Sequence, residues 1–259
     1  MTIAFFDSGI GGLTVLAETI KYHPNEHYLY WADTANVPYG TKSKTEVRQL
    51  ILHSVASLMN HPIEALVIAC NTATSIAIEE LRATYSIPII GMEPAIKPAV
   101  ALNREHGRRV LVIATPLTLK ETKYHDLIRR IDDQSIVDSL PLPELVHFAE
   151  KLMFDHVHVV QYLQEKLSSF DLQEYGTLVL GCTHFAFFRP LFYQLIPRQM
   201  NIIDGNQGTV KRLFEVLKSA ANLPKNYSPQ IEFYSTGHEN NYIKRMEQAL
   251  AYYLKFNHR

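Results

Sequence analysis

Short apolar runs, each followed by a longer stretch with helical periodicity, recur along this chain and limit its fold more than any other feature. Thr2–Phe6, His27–Trp31, Ala65–Ala69, Ile87–Ile90, Arg109–Ala114 and Thr177–Leu180 are such runs, and most of them do not alternate apolar with polar residues. A strand wetted on one face alternates; a strand covered on both faces is apolar throughout. The runs therefore read as strands of parallel sheets covered by helices. The intervening stretches supply those helices. Gly11–Tyr22 sets Leu13, Leu16, Ala17 and Ile20 on one face, and Lys44–Met59 does the same with Val47, Leu50, Ile51, Val55 and Leu58. Helical periodicity also spans 72–84, 116–130, 156–168, 206–220 and 239–254. Strand and helix in alternation predict the α/β class.

The 259 residues correspond to one large or two small domains at about 150 residues each. Nothing low in complexity or rich in Pro, Gly or Ser separates two parts, so any boundary is a close one. The chain does repeat itself weakly. Leu66-Val67-Ile68-Ala69-Cys70-Asn71-Thr72 resembles Leu178-Val179-Leu180-Gly181-Cys182-Thr183-His184, with the cysteines 112 residues apart. The first strand, ending in Asp7, has a counterpart ending in Thr115, 108 residues on. Similar offsets predict two related α/β halves.

Composition excludes several classes. Hydrophobic residues are 47% and charged residues 20% of the chain, which suits a packed core rather than disorder. A net charge of −1 offers no pull toward nucleic acid or an anionic membrane. No window reaches the ~18 consecutive apolar residues of a membrane span. The start, MTIAFFDSGIGG, has neither the basic beginning nor the apolar stretch of a signal peptide. A cytoplasmic location is the resulting expectation. The only two cysteines rule out a disulfide scaffold and a four-cysteine zinc site, and in a reducing compartment both stay free for chemistry.

Those two thiols occupy matched places. Each closes an apolar strand and precedes polar residues opening a helical pattern. Ligands of open α/β sheets collect at the carboxyl ends of strands, and a helix N-terminus there presents free N–H groups and a positive dipole end. Both would lower a thiol's pKa. Three uses follow: a dithiol redox pair, a nucleophile partnered by His184, or two proton-transfer groups on opposite faces of a small substrate. The last would invert a carbon stereocentre held between them. Asp7-Ser8-Gly9-Ile10-Gly11-Gly12 follows the first strand, and its glycines allow a tight turn close to a ligand. It is no P-loop, since no Gly-Lys-Ser/Thr follows. Pro38-Tyr39-Gly40 by itself is an ordinary turn.

Taken in order, Phe6-Asp7-Ser8-Gly9-Ile10-Gly11-Gly12-Leu13-Thr14, Pro38-Tyr39-Gly40, Ala69-Cys70-Asn71-Thr72-Ala73, Glu93-Pro94-Ala95, Thr115 with Thr118, and Leu180-Gly181-Cys182-Thr183-His184 resemble the aspartate/glutamate racemase family. The resemblance implies two pseudo-symmetric α/β domains, 1–97 plus 206–259 and 98–205. Each is expected to be a mostly parallel sheet flanked by helices, with the active site in the cleft between them. It implies cofactor-free and metal-free interconversion of L-glutamate and D-glutamate by two-thiol proton transfer, supplying D-glutamate for peptidoglycan. It implies a homodimer whose partner is a small-molecule substrate. By position, Cys70 and Cys182 match the catalytic thiols, with Asp7 expected to assist Cys70 and His184 to assist Cys182. Asp7, Ser8, Tyr39, Gly40, Asn71, Thr72, Thr183 and His184 match the substrate contacts. Glu150, after Leu145–Ala149, matches an acidic residue near the second thiol. Asp204-Gly205-Asn206-Gln207 departs from the family's usual serine after the aspartate, which leaves the local turn open. A relative acting on aspartate, or a non-catalytic amino-acid-binding protein on the same fold, remains an alternative.

Overall fold

The computed structural model describes residues 1–218, 229–237 and 241–256. In chain order the elements are β1 (Thr2–Asp7), α1 (Leu13–Tyr22), β2 (His27–Ala32), α2 (Lys44–Leu58), β3 (Ala65–Ile68), α3 (Asn71–Thr84), β4 (Ile89–Gly91) and α4 (Ile96–Arg104). There follow β5 (Arg109–Ala114), α5 (Pro116–Lys120), α6 (Thr122–Ile131), β6 (Val137–Pro141), α7 (Glu144–Glu150), α8 (Val157–Leu167), β7 (Tyr175–Leu180) and α9 (Arg189–Leu195). The last are β8 (Asn201–Asp204), α10 (Asn206–Leu217), β9 (Gln230–Ser235) and α11 (Tyr242–Phe256).

The strands form two sheets, ordered β4-β3-β1-β2-β9 and β6-β5-β7-β8, and every pairing is parallel. Read from its other edge, the second sheet runs β8-β7-β5-β6. Its order matches β4-β3-β1-β2 strand for strand, with β9 added to the first sheet alone. The repeat seen in the sequence is thus a repeat of topology. Cys70 and Cys182 follow equivalent strands, β3 and β7.

The unbroken apolar runs have a direct cause. Alternate residues of a strand face opposite sides, and both sides of these sheets are covered. Ile3 and Phe5 of β1 enter one buried cluster while Ala4 and Phe6 enter another. In β5, Leu111 and Ile113 join the first of those clusters, whereas Val110 and Val112 pack in a third. One core therefore passes between the two sheets, which is why no linker marks a boundary.

Several expectations need correction. The stretch 116–130 is not one helix: it breaks into α5 and α6 at Glu121, whose backbone is extended. There Glu121 is buried and its carboxylate takes the Lys44 ammonium at 2.5 Å, an ion pair that a continuous helix would have to displace. β6, β8 and β9, and the helices α4, α7 and α9, were not expected. The expected helices 206–220 and 239–254 are found as α10 and α11; residues 219–220 and 239–240 lie outside the described residues. Among the described residues, no helix is long and apolar enough to cross a membrane.

Candidate active site

Parallel neighbours bring the carboxyl ends of β1, β3 and β7 to the edges where the two sheets face each other. Asp7 ends β1, and its carboxylate is fully buried. It accepts the Gly9 N–H at 3.0 Å and, from the other half of the chain, the Thr183 hydroxyl at 3.1 Å. Ser8 lies alongside, its hydroxyl 3.4 Å from Asp7 Oδ1 and near enough to Cys70 to favour a negative sulfur. Cys70 is the N-cap of α3, where its sulfur accepts the Ala73 N–H at 3.5 Å.

Across the interface stands a second set. The Cys182 sulfur is 3.8 Å from His184 Nδ1, and His184 Nε2 is 2.7 Å from Glu150 Oε1. Glu150 Oε1 also accepts the Ile10 N–H of the first half at 2.9 Å, and Oε2 accepts the Tyr242 hydroxyl. Thr72, Thr115 and Thr118 form a triangle of hydroxyls with each side 3.0 Å, again across the two halves. The glycines of the first turn permit this closeness. A Cβ at Gly11 would overlap His184 and Thr183, one at Gly9 would overlap Glu150, and one at Gly40 would overlap Thr115.

The predicted residues thus converge, with two qualifications. The Tyr39 hydroxyl donates to buried Asp33, and the Asn71 amide donates to the Met92 carbonyl at 3.5 Å. The Tyr39 hydroxyl proton is thus committed to Asp33, and the Asn71 amide reaches Met92 through its N–H only. The remaining residues meet around the two sulfurs, and each cysteine is only 7% exposed. A cavity of 290 Å³ touches Asn71 and Thr118 and is bridged at its rim by the Lys123–Glu79 ion pair, 3.6 Å apart.

The electrostatics correct one expectation. Cys70 sits at a helix N-terminus, yet its pKa is raised, not lowered. Burial is the main cause and the adjacent Asp7 carboxylate adds to it; together they outweigh the Ala73 N–H and the Ser8 hydroxyl. Burial likewise raises Asp7, against the His184 charge and the Gly9 and Thr183 donors. His184 goes the other way from what burial alone would do. Burial disfavours the imidazolium, but its hydrogen bonds and charge interactions with Cys182 and Glu150 prevail and hold it protonated well above the usual histidine range. Burial would also raise Glu150, but the contacts with His184, Tyr242 and Ile10 keep it below the usual carboxylate value. The pseudo-symmetry therefore ends at the sulfurs. Cys70 faces a carboxyl, and Cys182 faces an imidazolium. The local structure differs too: a 3-10 turn, Thr183–Phe188, follows Cys182, whose sulfur caps nothing.

Sequence reading missed Tyr242, Asp33 and Tyr30, which donates its hydroxyl to the Gly9 carbonyl at 2.8 Å. Nothing in the sequence separates these tyrosines from the other members of a set of 14.

Comparison with known proteins agrees with this fold. The Asp/Glu/Hydantoin racemase family model matches residues 13–213. The glutamate racemase of Halothermothrix orenii is 54% identical over 255 residues, covering 98% of each chain. The crystal structure of Escherichia coli glutamate racemase in complex with L-glutamate and activator UDP-MurNAc-ala superposes with a TM-score of 0.83 at 29% identity, over 97% of this chain and 94% of that one. The Francisella tularensis glutamate racemase in complex with D-glutamate gives 0.81 at 29% identity, over 96% and 93%. With two like sheets meeting at a pair of buried thiols, and with likeness to these relatives along nearly its whole length, the chain belongs to the Asp/Glu/Hydantoin racemase family.

Proposed function

We propose that this chain interconverts L-glutamate and D-glutamate by passing the α-proton between Cys70 and Cys182, without cofactor or metal. The observation that carries the reading is the placement of one thiol at the equivalent strand end of each sheet, so that the two approach one site from opposite halves. Homologues named glutamate racemase support the substrate. Aspartate differs by one methylene, a discrimination of only ~1–3 kcal/mol in a pocket. The reading also takes the domains to be 1–97 plus 206–259 and 98–205, in keeping with the membership of the two sheets. It places the protein in the cytoplasm as a homodimer, supplying D-glutamate for peptidoglycan.

The chemistry follows from the groups present. An amino-acid α-hydrogen is a very weak acid, so charge developing on the α-carbon and its carboxylate needs preorganised donors. The first N–H groups of α3 have no partner within the helix, and the hydroxyls of Ser8, Thr72 and Thr183 stand beside them. Burial of both sulfurs keeps water away and strengthens each contact. A negative sulfur is favoured beside an imidazolium and disfavoured beside a carboxylate. Cys70, its thiol pushed up by burial and by Asp7, therefore takes the acid role at the start of the cycle, and Cys182, facing His184, takes the base role. Glu150 holds His184 against Cys182, and Asp7 receives the substrate ammonium. Each turnover leaves the two thiols with their protonation states exchanged.

Circular dichroism of purified protein with L- and D-glutamate and L- and D-aspartate, no cofactor added, tests the reading. Both glutamate signals are expected to decay to zero while the aspartate signals persist. Decay of aspartate alone would reassign the substrate, and no decay at all would leave a binding protein.

A further inference from the structure

We propose that Tyr242, on the C-terminal helix, is a positioning residue for the Cys182 side of the site: its hydroxyl fixes the Glu150 carboxylate, which in turn holds His184 against Cys182. The inference rests on the racemase reading and deepens it.

Tyr242 is the first residue of α11, is 3% exposed, and belongs to a helix that packs on α1 and β9 of the first half. Glu150 ends α7 in the second half. Their hydrogen bond therefore joins the tail of the chain to the catalytic edge of the other half. The two oxygens of Glu150 have different neighbours. Oε1 takes the His184 Nε2–H at 2.7 Å and the Ile10 N–H at 2.9 Å, whereas Oε2 takes the Tyr242 hydroxyl. The terminal torsion of a glutamate is soft and broad, so two donors on one oxygen leave the plane of the carboxyl free to turn. A donor on the second oxygen fixes it. That donor also favours the charged carboxylate, and the carboxylate favours the imidazolium.

The other groups facing this cluster do not substitute for Tyr242. Asp7 and Cys70, from β1 and the end of β3, add negative charge or none. Tyr30 on β2 spends its hydroxyl on the Gly9 carbonyl, and Cys182 lies on the far side of the imidazole. Arg245 stands over the Tyr242 ring, 4.9 Å from its centroid.

The sign of the effect follows. Removing the hydroxyl raises the proton affinity of Glu150, weakens the charge facing His184, and lets His184 lose its proton at lower pH. In Tyr242→Phe, with unchanged far-ultraviolet circular dichroism, kcat is expected to fall roughly three- to tenfold. The alkaline limb of kcat/KM is expected to move to lower pH, measured against wild type on the same substrate. The His184 ring nitrogens, followed by NMR on protein labelled with 15N-histidine, are expected to titrate lower. In a Glu150→Gln background the same substitution is expected to move that titration no further, because the path runs through the carboxylate. An unchanged His184 titration in Tyr242→Phe overturns the proposal, even if activity falls, since mere loosening of the helix would lower activity without it. A further shift in the Glu150→Gln background overturns it as well. Should wild type fail to racemise glutamate, the racemase reading falls, while the titration still decides whether Tyr242 acts through Glu150.

Discussion

Replacing Cys70 or Cys182 by alanine is expected to lower kcat/KM for glutamate by roughly 10³-fold or more, and by the same factor in both directions. The equality is a thermodynamic requirement. Enantiomers have equal free energies in water, so their equilibrium constant is unity and kcat/KM cannot differ between directions, whichever thiol is lost. The magnitude follows from the site. Each half presents one sulfur, and removing either leaves a base with no acid on the opposite face, or an acid with no base. Asp7 does not move into the place of the lost Cys70 sulfur, because its carboxylate is anchored by the Gly9 N–H and the Thr183 hydroxyl. His184 does not move into the place of the lost Cys182 sulfur, because its far nitrogen, Nε2, is anchored by Glu150. Loss of one buried sulfur removes little packing, and both variants are expected to fold. Steady-state kinetics from each enantiomer check the result. A variant that keeps near wild-type turnover in both directions would eliminate the two-thiol mechanism.

Gly11→Ala is the second large effect. The new methyl would overlap both His184 Nδ1 and Thr183 Oγ1. His184 cannot retreat without stretching its 2.7 Å contact with Glu150, and Thr183 cannot without releasing Asp7. The two halves must then separate locally, or the imidazole must turn from Cys182. Misplacement on the order of 1 Å at a reacting group costs about 10²-fold in rate, and forcing a methyl into a filled space costs about 1–3 kcal/mol in stability. Both losses are expected, read by kinetics and by thermal unfolding. Gly208→Ala is the control. Gly208 lies in α10 with nothing within 4 Å of an added Cβ, so activity is expected to hold.

The doubly covered strands were plain in the sequence because burial on both faces removes alternation, and β1, β3, β5 and β7 are the central strands that carry the site. Of the edge strands, β4 was legible as Ile87–Ile90, whereas β6, β8 and β9 were hidden for the same reason in reverse. β6 is half exposed along VDSLP, β8 is the short NIID, and β9 is the partly exposed edge of its sheet. No apolar run announces them. The helix α7 was missed because Glu144–Glu150 is only 7 residues long, too short to show a period. Glu150 was therefore reached only through family resemblance. Of the site, Cys70, Cys182, Asp7 and His184 were legible because they stand at strand ends within the repeated pattern. Tyr242 was not, since its role depends on a helix that returns from the far end of the chain. The unlike surroundings of the two thiols were invisible as well. Matched sequence patterns predicted matched thiols, but Asp7 and the His184–Glu150 pair come from different elements on the two sides.

The central claim is that two different groups handle the α-proton on opposite faces of one carbon. It is tested most directly by starting the reaction in deuterium oxide with a single unlabelled enantiomer and measuring label in both enantiomers at early times. The account predicts deuterium in the product and little in the recovered substrate, because the acid that delivers the proton has equilibrated with solvent and is not the base that removed it. Equal early labelling of substrate and product would contradict it and point to one shared base.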